Sequence, residues 1–97
     1  MKNFKEIQNI LSAHKKELKK RYNVKEIGLF GSFVRGEEKT SSDIDILVDY
    51  EEVPDLLKFI ELENYLERLL GIKVDLVRKP ALRKELRESI LREVSIV

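Results

Sequence analysis

Asp43 and Asp45 stand two residues apart at the head of an apolar run, Ile44-Ile46-Leu47-Val48. On an extended segment both carboxylates point to one face, while Ile44, Ile46 and Val48 point to the other, where covering helices need apolar partners. Two carboxylates forced together on an open face repel each other unless a cation sits between them. Magnesium suits that place, because it takes oxygen ligands and keeps waters and substrate phosphates in its shell. A third carboxylate, Asp75, lies in the run Ile72 to Arg78 and shares its parity with Lys73 and Val77. If that run pairs with the first in matching register, three carboxylates face one cleft, as two-metal phosphoryl transfer requires. Taken alone, Asp75 reads equally well as a solvated edge charge.

Gly31-Ser32 ends an earlier apolar run, with ten residues between it and Asp43. Glycine lets the backbone approach a phosphate, the N–H groups beyond it form an anion-binding nest, and the Ser32 hydroxyl adds a donor. An ordinary turn would look the same. Arg35 is placed to reach phosphate oxygens, or to pair with a loop acid such as Glu37 or Glu38. Competing motifs fail. Gly31 and Gly36 have Walker A spacing, but Glu37-Glu38 stand where Lys-Ser/Thr must be, and acids there repel phosphate. A calcium loop starting at Asp43 has Val48 and Pro54 where Gly and Glu are needed. The single His14 reads as a structural histidine on or beside a buried helical stripe.

The surrounding elements follow from periodicity. Phe4, Ile7, Ile10, Leu11, Leu18 and Tyr22 predict one amphipathic helix ending at Asn23. Val24 to Phe30 reads as a strand, Gly31 to Ser42 as a loop with one helical turn at its start, and Asp45 to Tyr50 as a second strand. Pro54-Asp55 starts a long helix with the face Leu56, Phe59, Ile60, Leu66, Leu69 and Leu70, stopped by Gly71. Ile72 to Arg78 is the third strand. After Pro80 a last helix carries Leu82, Leu86, Ile90 and Val94, with Leu91 beside them. Its stripe either docks a partner or covers the sheet. The short first connection favours an antiparallel pair of strands, and the helical crossover a parallel one. The expected architecture is α/β (α+β): a small mixed three-stranded sheet with helices over one face, in a single domain spanning 1–97.

Composition sets further bounds. The chain has 97 residues, no cysteine, and 19 Lys+Arg against 18 Asp+Glu. Disulfides and thiolate metal sites are excluded, and no strong field draws the protein to nucleic acid or a membrane. The first residues begin an amphipathic pattern, so the expected location is the cytoplasm.

The run Gly31-Ser32-Phe33-Val34-Arg35-Gly36, then Ser42-Asp43-Ile44-Asp45, then Asp75 resembles the polymerase-β-like nucleotidyltransferase superfamily. More closely it resembles the minimal nucleotidyltransferases, the MntA-type antitoxins paired with HEPN-domain toxins. The resemblance implies that Asp43, Asp45 and Asp75 are catalytic and bind two Mg2+ ions, with Asp75 helping to deprotonate the acceptor. It implies that Gly31, Ser32, Arg35 and Ser42 bind the nucleotide. Further, it implies a protein adenylyltransferase that moves AMP from ATP to a tyrosine of a cognate HEPN RNase toxin. The alternatives are a non-catalytic module that masks the toxin by contact, or transfer to RNA or a small molecule. A catalytic module this small has no room for a second domain, so it should borrow a surface from a partner or a second copy of itself.

Overall fold

Asn3 opens the first helix: its side-chain oxygen accepts the Glu6 amide at 2.9 Å, and α1 runs Phe4–Ala13. The fold is that of a computed structural model, which describes residues 2–39 and 43–97. The amphipathic segment expected as one helix is two. His14 ends α1, its N–H bonding the Ile10 and Leu11 carbonyls and its Nδ1–H donating to the Ile10 carbonyl at 2.8 Å. The chain re-enters a helix at once as α2, Lys15–Tyr22. Buried Ile7, Leu11, Leu18 and Tyr22 stay in one phase across the break, which is why periodicity does not reveal it. His14 is thus a half-buried structural residue, as expected. Asn23, in the left-handed region at φ 57°, closes α2.

The sheet is built from β1 (Val24–Phe30), β2 (Ile44–Tyr50), β3 (Val74–Arg78) and a short β4 (Ser95–Ile96), in the order β3-β2-β1-β4. β1 and β2 are antiparallel and β2 and β3 parallel, as the connection lengths require. The fourth strand is a correction to the expected three. It is two residues long, too short for its own period, and pairs only with Gly28 and Leu29 of β1. Gly28 makes this possible: a Cβ there would stand 2.8 Å from Val94 Cγ2 and 3.0 Å from the Ser95 carbonyl.

Alternation divides the sheet cleanly. Ile27, Leu29, Ile44, Ile46, Val48, Val74 and Leu76 face α1, α2 and the long helix α4 (Leu56–Leu70), forming the main core. Asp55 caps α4 by accepting the Lys58 amide at 2.9 Å, and Gly71 ends it at φ 70°. The buried face of α4 differs from the expected one. Leu62, Leu66 and Leu70 are fully buried, whereas Leu56 and Ile60 are exposed. Ile60 lies about 160° around the helix from Leu62, so the two cannot share a face.

Phe30, Leu47 and Val77 face the other way. There they meet Leu82, after a 3-10 turn at Lys79–Ala81, Ile90 and Leu91 of the final helix, α5 (Lys84–Glu93), and Val94, which caps it. Helices therefore cover both faces rather than one. The apolar stripe of the last helix covers the sheet, with Leu86 left exposed. Among the described residues no helix is long and apolar enough to cross a membrane.

Candidate active site

The face that α5 half covers is the acidic one. Parallel pairing sets Asp45 of β2 directly beside Asp75 of β3, and antiparallel pairing sets Phe30 opposite Asp45. Beyond Phe30 the chain turns at Gly31 into α3, Ser32–Arg35, so the turn stands over the Asp45 carboxylate. The approach is extreme: a Cβ on Gly31 would lie 2.0 Å from Asp45 Oδ2. Gly31 also has φ 81° and ψ −153°, a region open essentially to glycine alone. Both facts require glycine here, one for conformation and one for space.

Burial pushes the Asp45 carboxyl up to about 6, assisted by the charge and hydrogen bonding of Asp75 and by the Asp43 charge, with Arg35 opposing. Asp43 precedes β2, is exposed, and contributes from outside the pair. Of the expected trio, Asp45 and Asp75 stand side by side on adjacent strands, with Asp43 an exposed neighbour just before β2. Among the described residues no group of three acidic or histidine side chains gathers tightly enough to form a closed metal cage. The donor chemistry still fits a hard divalent cation. Two crowded oxygen donors with unbalanced charge suit magnesium, which keeps open positions for water and phosphate.

Raised carboxyl affinity has a stability consequence. The folded state holds a proton on Asp45 more tightly than the unfolded chain, so stability falls as pH rises from about 4 to about 6. With solvent screening at this part-exposed site, the loss at neutral pH is on the order of 1 kcal/mol. Asp45→Asn should therefore raise the melting temperature at pH 8 without added metal, and leave it unchanged below pH 4. Parallel melts at the two pH values check this.

Arg35 is engaged twice. Its Nη1 donates to Glu93 Oε1 at 2.6 Å and its Nε to Glu37 Oε2 at 3.2 Å. The loop-acid pairing foreseen for Arg35 is therefore present, and half of the side chain remains exposed. Glu93, the last residue of α5, also accepts the Gly31 N–H on Oε2 at 2.9 Å. Burial alone would raise the Glu93 carboxyl, but the Gly31 amide and Arg35 outweigh it and the net shift is downward. Nothing in the sequence pointed to Glu93. It is 62 residues from Gly31 and lies in a helix where charged residues are common. Ser32 is half-buried at the start of α3. Its amide and that of Phe33 open the helix and have no intrahelical carbonyl to bond. Ser42 lies outside the described residues.

The nucleotidyltransferase domain profile matches residues 11–97. The chain belongs to the nucleotidyltransferase domain family. This nucleotidyltransferase is 61% identical over its whole length to the protein adenylyltransferase MntA of Thermococcus cleftensis, covering 98% of that protein. Its fold matches a solved chain provisionally assigned as a minimal nucleotidyltransferase, with TM-score 0.75, 36% identity and coverage of 92% and 93% of the two chains. It also matches a chain of a toxin–antitoxin crystal structure with AMP-PNP, with TM-score 0.71, 27% identity and coverage of 87% and 69%. The family expected from the Gly-Ser and Asp-x-Asp elements is thus the right one, over the same residues.

Proposed function

We propose that this nucleotidyltransferase is a magnesium-dependent protein adenylyltransferase that acts as an antitoxin, moving AMP from ATP to a tyrosine of a cognate HEPN-domain toxin. The observation that carries this reading is the Asp45–Asp75 pair lying directly under the Gly31-Ser32 turn. A relative this similar being a protein adenylyltransferase supports the reaction. The toxin–antitoxin structure with an ATP analogue supports donor and setting.

In this reading Asp43, Asp45 and Asp75 bind two magnesium ions, which when present neutralise triphosphate charge and polarise the α-phosphate. The Ser32 hydroxyl and the free amides after Gly31 hold the β- and γ-phosphates, with Arg35 and Ser42 assisting. Asp75 takes the proton from the tyrosine hydroxyl as its oxygen attacks the α-phosphorus. The bond from the α-phosphorus to the bridging oxygen breaks, and pyrophosphate leaves. Rate comes chiefly from placing the acceptor in line and from charge neutralisation. The toxin supplies the acceptor-side surface, and the setting is cytoplasmic.

The test is incubation with α-labelled ATP, magnesium and the protein product of the adjacent gene. Label should appear on a tyrosine of that protein, and chelation of magnesium should abolish it. A partner that stays unlabelled while bound to the protein would overturn the proposal.

A further inference from the structure

The two carboxylate oxygens of Glu93 do different things. Oε2 accepts the N–H of Gly31 at one end of the α3 turn, and Oε1 accepts Nη1 of Arg35 at the other. One side chain thus spans the whole turn, from far outside it in sequence. Glycine can take φ 81° at the first residue of this turn, but its freedom to take many other conformations means that nothing local holds it there. It needs an external partner, and charge-assisted bonds from a carboxylate are the strong kind.

We propose that Glu93 is a positioning residue for nucleotide binding: it clamps the Gly31–Arg35 turn at its working distance from Asp45 and Asp75. This rests on the reading of that turn as the triphosphate cup. Glu93 does not touch the nucleotide in this account. It takes the Gly31 N–H out of competition, leaving the Ser32 and Phe33 amides as the donors that face the phosphates. The clamp has a built footing. α5 is seated by Ile90 and Val94 packing against Phe30 and Leu47, and the next residues are stitched to β1 where Gly28 admits them. Glu93 sits between Ile90 and Val94, just before the residues paired to β1. The last helix and the short β4 strand therefore serve the active site, by fixing where one carboxylate stands.

A competing role is conceivable for the same contacts: a carboxylate on a backbone amide and an arginine resembles a bound phosphate and would act as a plug. The two roles predict opposite signs. Removing a clamp weakens nucleotide binding, whereas removing a plug strengthens it. The clamp is favoured because the amide of buried Gly31 needs an acceptor whether or not nucleotide is bound, and Glu93 is the one it has.

The test compares the intact protein with Glu93→Gln and Glu93→Asp. First, the Gly31 amide is followed in the free protein by hydrogen exchange. Both variants should lose protection at Gly31 while amides of β2 keep theirs. Second, binding of the non-hydrolysable ATP analogue AMP-PNP with magnesium is measured by calorimetry. Glu93→Gln should bind roughly tenfold more weakly, and in transfer assays KM for ATP should rise by a similar factor with kcat changed far less. Glu93→Asp keeps the charge but is one methylene too short to span the turn, so it should fall in between. Unchanged or tighter analogue binding by a folded Glu93→Gln protein would overturn the clamp. Failure of the intact protein to bind the analogue would instead overturn the nucleotide reading of the turn. If Glu93→Gln does not fold, the same criteria apply to Glu93→Asp.

Discussion

Asp43→Asn combined with Asp45→Asn should reduce nucleotide transfer by at least about 10³-fold while leaving the protein folded. The magnitude follows from the role of the pair. Charge neutralisation at a transferring phosphate is worth several kcal/mol of barrier, and each 1.4 kcal/mol is tenfold in rate. The fold should survive because Asp43 is exposed and the Asp45 carboxylate works against folding. Burial and the neighbouring Asp75 make the charged form of Asp45 costly, and an amide of the same shape removes that cost. The variant therefore separates two ways of silencing a toxin. If AMP transfer is what neutralises, cells carrying the double variant should be killed by the toxin as though no antitoxin were present. If masking by contact suffices, they should survive. Growth after toxin induction, with both proteins confirmed by blotting, distinguishes the outcomes.

The parts of the site that were legible in the sequence are those carried by strands. Alternation placed Ile44, Ile46 and Val48 in the core and Asp45 on the opposite face, and the same parity placed Asp75 with Val77. The register joining Asp45 to Asp75 was a condition, not a reading. The α4 crossover makes the strands parallel but leaves their register open, and the ladder supplies it residue for residue. Contacts made by helix ends were not legible. The break at His14 leaves the helical phase intact, so apolar spacing carries no trace of it. The face of α4 was read correctly at Phe59, Leu66 and Leu70 but not at Leu56 and Ile60, which are as apolar as the buried residues yet exposed. β4 and Glu93 escaped for a shared reason. Each is defined by its partner on β1 or in the turn after it, and neither has a local pattern of its own. Thus the sheet could be drawn from the chain, but not the support of its phosphate turn.

Gly31→Ala should be the most damaging single methyl group that can be added to this protein, and Gly36→Ala should show why. Both glycines have positive φ, 81° and 72°. At Gly36 an added Cβ meets nothing within 4 Å, so the variant should lose only the strain of a left-handed alanine, about 1 kcal/mol. At Gly31 the strain is greater, because its φ and ψ lie outside even the left-handed helical region. The new methyl must also displace the Asp45 carboxylate, whose Oδ2 stands 2.0 Å from the Cβ position. Either the turn lifts, and the Glu93 bond to the Gly31 amide breaks, or Asp45 swings away from Asp75. Both distort the one arrangement in which phosphate donors and carboxylates face each other. Gly31→Ala should therefore lose about 2–3 kcal/mol of stability, on the order of 10 °C in melting temperature for a domain this size. Transfer activity should fall by about 10² or more. Gly36→Ala should melt only a few degrees below the parent and keep most of its activity. Equal losses in the two variants would mean that backbone strain alone matters at Gly31, and that its closeness to Asp45 has no part in the chemistry.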